Sequence, residues 1–320
     1  MTTVLWMTID RHPESLKTLI RERLVATGFD ILEASYDSLG TLSAMPLESV
    51  EAVLMAPARH FPTEHMDRLT NCRLIQIWSS GYDKFNISDA RARKIPVANN
   101  HGANAVSVAE HAILMMLGVS RRIPEMHERV ITGNWAGNDH GMSSYSLNGK
   151  KLGIVGLGNI GRLVATRAEA LGMAIRFADP NVSMSPQAGW VKRDFDALLS
   201  EVDCLSFHVH LNDSTRNMLN IKNIDKLAKK PFIINVSRAE LVSYDALLAA
   251  LDRGLIKGAA IDAHYEEPTR PDDPLFGFSN LLVSPHVAGS TVDSYYDTID
   301  ACLANITRAL SGEKVQGILA

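Results

Sequence analysis

The 320-residue sequence predicts an α/β fold of two domains, each a parallel sheet covered by helices. Three observations carry that reading. Short apolar runs alternate with amphipathic helical stretches along most of the chain. The alternation restarts abruptly near residue 150, after an arm rich in Gly, Asn and Ser. The second series by itself holds enough strands for a complete doubly wound sheet.

In the first series "VLWMT" (4–8) reads as a strand and "PESLKTLIRERLVATG" (13–28) as an amphipathic helix stopped by Gly28. "AVLMA" (52–56), "RLIQI" (73–77) and "IPVANN" (95–100) read as further strands. From Asn104 a helical pattern runs to about Thr132, and Pro124 is expected to kink or divide it near Ile123. The stretch "GNWAGNDHGMSSYSLNG" (133–149) reads as a loop or arm. Six strands follow, at 151–156, 174–179, 202–209, 232–236, 258–262 and 280–284, with helices between them at 159–172, 195–201 and 244–254. A last helix, about 293 to 311, falls after that strand count is full and is expected to return to the first domain.

Composition narrows the function classes. Hydrophobic residues at 46% and charged residues at 21% describe a globular chain, and a net charge of -4 gives no pull towards nucleic acid or an anionic membrane. No apolar run approaches the roughly 18 residues a membrane span needs. The N-terminus lacks a basic region and meets Asp10 and Arg11 early, so no signal peptide is expected. Cys72, Cys204 and Cys302 lie far apart in apolar stretches without metal spacing and read as core residues of a reduced, cytoplasmic protein.

Chemistry first enters at "GIVGLGNIGRL", which contains Gly156-x-Gly158-x-x-Gly161 between a strand and a helix. In a dinucleotide-binding (Rossmann) domain Gly156 permits the tight turn, Gly158 admits a pyrophosphate to the backbone, and Gly161 allows close helix–strand packing. Asp179, at the end of the next strand, is placed to accept hydrogen bonds from a ribose diol and to repel a 2′-phosphate, which favours NAD over NADP. Its plainer role is to open a turn before Pro180. Methyltransferases also use a glycine turn followed by an acid, so the reaction has to be argued from other residues.

Those residues stand at the ends of the last three strands, where open α/β sheets bind ligands. Arg238 follows "FIINVS", Glu267 follows "GAAIDAHYE", and His286 follows "NLLVSP". An arginine clamps a carboxylate, a histidine moves a proton near neutral pH, and a glutamate beside it orients the ring and favours its protonated form. Singly each has a bland alternative: a solvated strand-end arginine, a turn-opening glutamate, a surface histidine. Their order after the glycine fingerprint is what makes them specific. His208 and His210 alternate on one face but have no third ligand at suitable spacing, so no metal is expected.

With these motifs the chain resembles the D-isomer-specific 2-hydroxyacid dehydrogenase family over nearly its whole length. The matching segments are "SSGYDKFNI" (79–87), "NNHGANAVSVAEHAILMML" (99–117), "GKKLGIVGLGNIGRLVA" (149–165), "NVSRAELV" (235–242), "GAAIDAHYEEP" (258–268) and "SPHVAGST" (284–291). The resemblance implies a Rossmann domain at 104–289, including a long inter-domain helix, inserted into a flavodoxin-like substrate domain at 1–103 and 290–320. It also implies a cleft between them and a homodimer built on the helix near 104–132. It assigns Arg238, Glu267 and His286 as the catalytic trio, with His286 protonating the forming alkoxide. Gly156, Gly158, Asn159, Ile160, Gly161, Asp179, His208 and Asp262 fall to NAD, with Asp262 at the nicotinamide carboxamide. Ser80, Gly81 and Asn104 fall to the substrate. The chain departs from the family at Ala239, where Gly is common, and at His210, where Pro is usual.

The resemblance implies hydride transfer between NAD(H) and a small 2-hydroxy or 2-oxo acid. A nucleotide-sensing corepressor is the alternative from another class, and it needs extensions that this sequence does not show. A formate dehydrogenase is set aside because that branch has Gln in place of Glu267. The loop "QIWSSGYD" (76–83) has no base before Lys84, and the sequence lacks the additional C-terminal domain of many 3-phosphoglycerate dehydrogenases. Both points favour an unphosphorylated acid such as glyoxylate, hydroxypyruvate or D-glycerate. Trp135 is either near the substrate or packs the arm.

Overall fold

The computed structural model describes residues 2–56, 59–135 and 138–319. The chain divides into two compact units, Met1–Asn104 with Ser290–Ala320, and Ala105–Gly289.

In the first unit β1 (Thr3–Thr8), α1 (Glu14–Ala26), β2 (Asp30–Ser35), β3 (Val50–Met55), α2 (Thr63–Met66), β4 (Leu74–Ile77), α3 (Ile87–Ala92) and β5 (Val97–Ala98) follow in turn. The five strands form one parallel sheet in the order β2-β1-β3-β4-β5, the flavodoxin-like arrangement. Every residue of β1 is buried, as a central parallel strand requires. β2 was not among the expected strands. It lies at the sheet edge, and "DILEAS" leaves Asp30 and Glu33 exposed, so it has no continuous apolar signal.

The second unit opens with α4 (Ala105–Arg121) and α5 (Ile123–Ile131). The expected division falls at Arg122, which adopts left-handed φ 52°, with Pro124 in the first turn of α5 where its missing N–H costs nothing. Within the expected arm, Ala136 and Gly137 lie outside the described residues. Then come β6 (Lys151–Val155), α6 (Asn159–Ala170), β7 (Ala174–Ala178), β8 (Val191–Lys192), α7 (Phe195–Glu201), β9 (Cys204–Phe207), β10 (Phe232–Asn235), α8 (Tyr244–Asp252), β11 (Gly258–Ile261) and β12 (Leu281–Val283). The sheet is parallel throughout, in the order β12-β11-β10-β9-β6-β7-β8. It has seven strands, not the expected six, because the two-residue edge strand β8 is too short to leave a periodic trace. The final helix, α9 (Val292–Ser311), belongs to the first unit, where Ile299, Cys302, Leu303 and Ile306 pack with Val4, Trp6, Leu16 and Ile20.

All three cysteines are free; Cys204 and Cys302 are buried in the core, Cys72 is partly buried against it, and burial pushes each thiol up to about 12. Among the described residues no helix is long and apolar enough to cross a membrane.

Candidate active site

The glycine fingerprint is built as its spacing requires. Gly156 has φ +92°, and a Cβ there would sit 2.6 Å from Val209 and 2.7 Å from the His208 carbonyl. A Cβ on Gly161 would collide with the Gly156 carbonyl oxygen, so the first and third glycines seat α6 directly on the turn. Gly158 is different. Its φ is -76°, and a Cβ there would meet nothing within 4 Å. Neither strain nor packing calls for glycine at that position, which leaves the approach of a ligand to the backbone as the physical reason. α7, α8 and α9 are capped by the side chains of Asp194, Ser243 and Thr291, whereas the N-terminus of α6, at Asn159 and Ile160, has no side-chain cap. These features fit a dinucleotide pyrophosphate.

Asp179 follows β7 and is partly buried. Its Oδ2 accepts from the Leu157 N–H at 2.7 Å, and its Oδ1 accepts from the Asn181 N–H at 2.8 Å. It therefore ties the glycine turn and opens the turn at Pro180, and a carboxylate with about four acceptor positions retains two. His208 is placed differently from a ring offered to a ligand. The residue is half-buried with Nδ1 shielded from solvent, Nε2 lies 2.8 Å from Ser206 Oγ, and burial lowers its pKa to about 3. What this position turns towards the glycine loop is its backbone carbonyl.

The three strand-end residues follow adjacent strands, β10, β11 and β12. Arg238 leaves a fully buried β10, and its carbonyl accepts from Asn235 Nδ2 at 2.8 Å. Its Nη1 donates to the Ser237 carbonyl at 2.8 Å, so the guanidinium of this half-buried residue lies back over the strand end. His286 Nδ1 lies 2.7 Å from Glu267 Oε1. Glu267 Oε1 also accepts from the His264 N–H at 3.2 Å. With Nδ1–H donating to the carboxylate, Nε2 is the nitrogen left to exchange a proton with a ligand.

Asp262, at the end of β11, is fully buried. It accepts Ser284 Oγ at 2.6 Å and the N–H groups of Val287 and Ala288, both at 2.9 Å. Burial pushes its carboxyl up, but the His111 ring, 3.5 Å away, and the hydrogen bonds from Ser284, Val287 and Ala288 together outweigh it and hold the pKa at about 2. His111 and Ser284 were not singled out in the sequence. A helical histidine reads as a satisfied core residue, and their proximity joins positions 173 residues apart.

In the first unit Ser80 Oγ lies 2.7 Å from both Asn100 Oδ1 and Asn104 Oδ1, and its single proton serves one at a time. Behind the Ser80–Gly81 loop runs a buried amide chain. Asn305 Nδ2 donates to Gln76 Oε1, Gln76 Nε2 to the Asn99 carbonyl, and Asn99 Nδ2 to the Ser80 carbonyl, each at 3.0 Å. Trp135 is 82% exposed and packs no core. Among the described residues there is no group of three metal-ligating side chains.

A doubly wound parallel sheet with a glycine turn after its central strand β6 defines a class, the dinucleotide-binding domains. Comparison with known proteins narrows it. Residues 113–288 match the model of the D-isomer specific 2-hydroxyacid dehydrogenase NAD-binding domain. The chain is 32% identical over 276 residues to a glyoxylate reductase of Thermofilum pendens, covering 82% of this chain and 79% of that one. It is 30% identical over 285 residues to a D-3-phosphoglycerate dehydrogenase of Archaeoglobus fulgidus, covering 86% of this chain but only 54% of that longer protein. Among solved structures, the NADPH-dependent glyoxylate/hydroxypyruvate reductase of Sinorhizobium meliloti, in complex with NADP and malonate, superposes with a TM-score of 0.85. That pair is 25% identical and covers 100% of this chain and 97% of the other. The chain belongs to the D-isomer specific 2-hydroxyacid dehydrogenase family. It is an oxidoreductase carrying that family's NAD-binding domain, which bears out the expected fold class and reaction class.

Proposed function

We propose that this chain reduces a small, unphosphorylated 2-oxo acid to the D-2-hydroxy acid with NADH, glyoxylate and hydroxypyruvate being the leading substrates. The observation that carries the reading is the 2.7 Å His286–Glu267 pair at the end of β12. When bound, the reduced nicotinamide supplies the hydride. His286 Nε2 gives its proton to the carbonyl oxygen as the alkoxide forms, and Glu267 holds the ring by Nδ1 and offsets the charge of the imidazolium. Arg238 pairs with the substrate carboxylate and polarises the carbonyl. In the first unit the backbone at Ser80 and Gly81 offers N–H groups to a substrate carboxylate, with Ser80 and Asn104 fixed in one hydrogen-bonded cluster.

NAD is preferred because Asp179 presents a carboxylate where NADP would bring a phosphate. Gly156, Gly158, Gly161 and the α6 N-terminus at Asn159 and Ile160 hold the pyrophosphate. His208 contributes backbone wall, and Asp262, fully buried, serves the cofactor side only through the Val287 and Ala288 backbone that it holds. An unphosphorylated acid is supported by the Ser79–Ser80 loop, which carries hydroxyls and no base. The protein works in the cytoplasm as a homodimer. Support for the dimer comes from exposed Leu114, Ile123, Val130 and Ile131 on α4 and α5, with exposed Met142 beyond them.

NADH and NADPH oxidation against glyoxylate, hydroxypyruvate, pyruvate, phenylpyruvate and 3-phosphohydroxypyruvate tests the reading. Turnover with NADH and glyoxylate or hydroxypyruvate supports it. NADH binding without turnover on any of the panel overturns it in favour of a nucleotide-sensing protein.

A further inference from the structure

His286 sits in a conformation that needs external support. Its φ is +57°, the left-handed region, which costs a residue with a Cβ on the order of 1 kcal/mol. The loop is pinned on both sides of it. After His286, the N–H groups of Val287 and Ala288 donate to the two oxygens of Asp262. Before it, the Ser284 carbonyl accepts from His264 Nε2 at 2.8 Å and from the His286 N–H at 3.0 Å.

The Ser284 hydroxyl closes the arrangement. Its Oγ lies 2.6 Å from Asp262 Oδ1 and 2.9 Å from His111 Nε2. An ionised carboxylate only accepts, so the hydroxyl proton points to Asp262 and its lone pair takes a proton from His111 Nε2–H. The order is therefore His111 Nε2–H to Ser284 Oγ–H to Asp262, with Nε2 itself 3.5 Å from Asp262 Oδ1, and Asp262 in turn holds the two amides beyond His286.

Helix α4 is built to put His111 there. Met115, one turn on, brings its sulfur within 3.8 Å of Ser284 Oγ. At Gly118, a turn further, a Cβ would come within 2.8 Å of Leu282 on β12. The positions 111, 115 and 118 form one stripe laid along β12, and glycine lets the helix sit close enough for the histidine to reach.

We infer that His111, Ser284 and Asp262 form a hydrogen-bonded positioning chain that holds the His286 loop in its strained, proton-delivering conformation. Asp262 then supports the loop, and His111 and Ser284 act on the reaction through His286. The inference rests on the reading of His286 as the proton donor.

The test uses the full chain, with kcat, KM for the best 2-oxo acid and the NADH Kd measured for His111→Leu, His111→Gln, Ser284→Ala and, as a reference, His286→Asn. Leucine fills the space without a donor, while glutamine places an amide N–H near the Nε2 position. His111→Leu and Ser284→Ala should each lower kcat about 10- to 100-fold with NADH Kd within about 3-fold of wild type, and His111→Gln should recover most of the loss. If His111→Leu fails to fold, Ser284→Ala, which removes one oxygen, carries the test. Unchanged kcat in Ser284→Ala alongside a severe loss in His286→Asn would overturn the chain and leave the role of His286 intact. Equal losses in the leucine and glutamine variants, with weakened NADH binding, would reduce His111 to packing. An active His286→Asn would instead remove the premise.

Discussion

Replacing Asp179 with alanine should reverse much of the preference between the two nicotinamide dinucleotides. Two of the four acceptor positions on this carboxylate are taken by the Leu157 and Asn181 N–H groups, and two remain for a ribose diol. A hydrogen bond to a charged group contributes about 1.5–3 kcal/mol, so losing the diol contact should lower kcat/KM for NADH by roughly 10- to 100-fold. For NADPH the sign is opposite. Two unit charges 4 Å apart repel by about 1 kcal/mol in water and about 4 kcal/mol at a typical protein surface. About 2 kcal/mol suits a half-buried carboxylate, or roughly 30-fold gained when it is removed. The NADH:NADPH ratio of kcat/KM should therefore fall by roughly 300- to 3000-fold. Alanine also strands the Leu157 N–H in the glycine turn, so Asp179→Asn is the matched control. It keeps an acceptor for that amide, loses the charge, and should show the NADPH gain with less thermal destabilisation. A ratio that moves less than about 3-fold in both variants would refute the reasoning.

Asp262 should make the fold acid-sensitive in a defined window. Its folded pKa of about 2 lies below the ordinary 3.8, so its contribution is fully present above about pH 4 and is lost as pH falls through 2. That depression amounts to about 2 kcal/mol, and the gap in urea midpoint between wild type and Asp262→Asn should hold down to about pH 4 and narrow from there to pH 2. In the first unit, Asn305→Leu removes the donor to Gln76 Oε1 at the head of the buried chain behind Ser80. It should cost about 1–3 kcal/mol of stability and raise KM for the 2-oxo acid while NADH Kd stays put, as read by denaturation and steady-state kinetics.

Much of this architecture is legible in the residues because central parallel strands are buried on both faces. "KLGIV" and "FIIN" read as continuous apolar runs for that reason. The division of the long helix is legible from Pro124 alone. Edge strands are not, since "DILEAS" buries only Ala34 fully and exposes Asp30 and Glu33, and β8 spans two residues. The site shows the same contrast. Gly156 and Gly161 are required by local backbone collisions, so their spacing is a physical signature. Arg238, Glu267 and His286 are legible as polar endings to apolar strands. The support beneath them is not: His111 and Ser284 become partners only when α4 lies along β12, and no periodicity in either segment announces it. The amide chain from Asn305 to Ser80 is hidden likewise, because it joins the last helix to β4.

The most direct test of the central claim is the single-residue change His286→Asn, assayed by NADH oxidation with the best 2-oxo acid and by NADH affinity in the same preparation. The pairing of His286 Nδ1 with Glu267 predicts that kcat falls at least about 100-fold while NADH Kd changes by less than about 3-fold. A variant that keeps more than about a tenth of wild-type kcat would contradict the assignment of His286 as the proton donor.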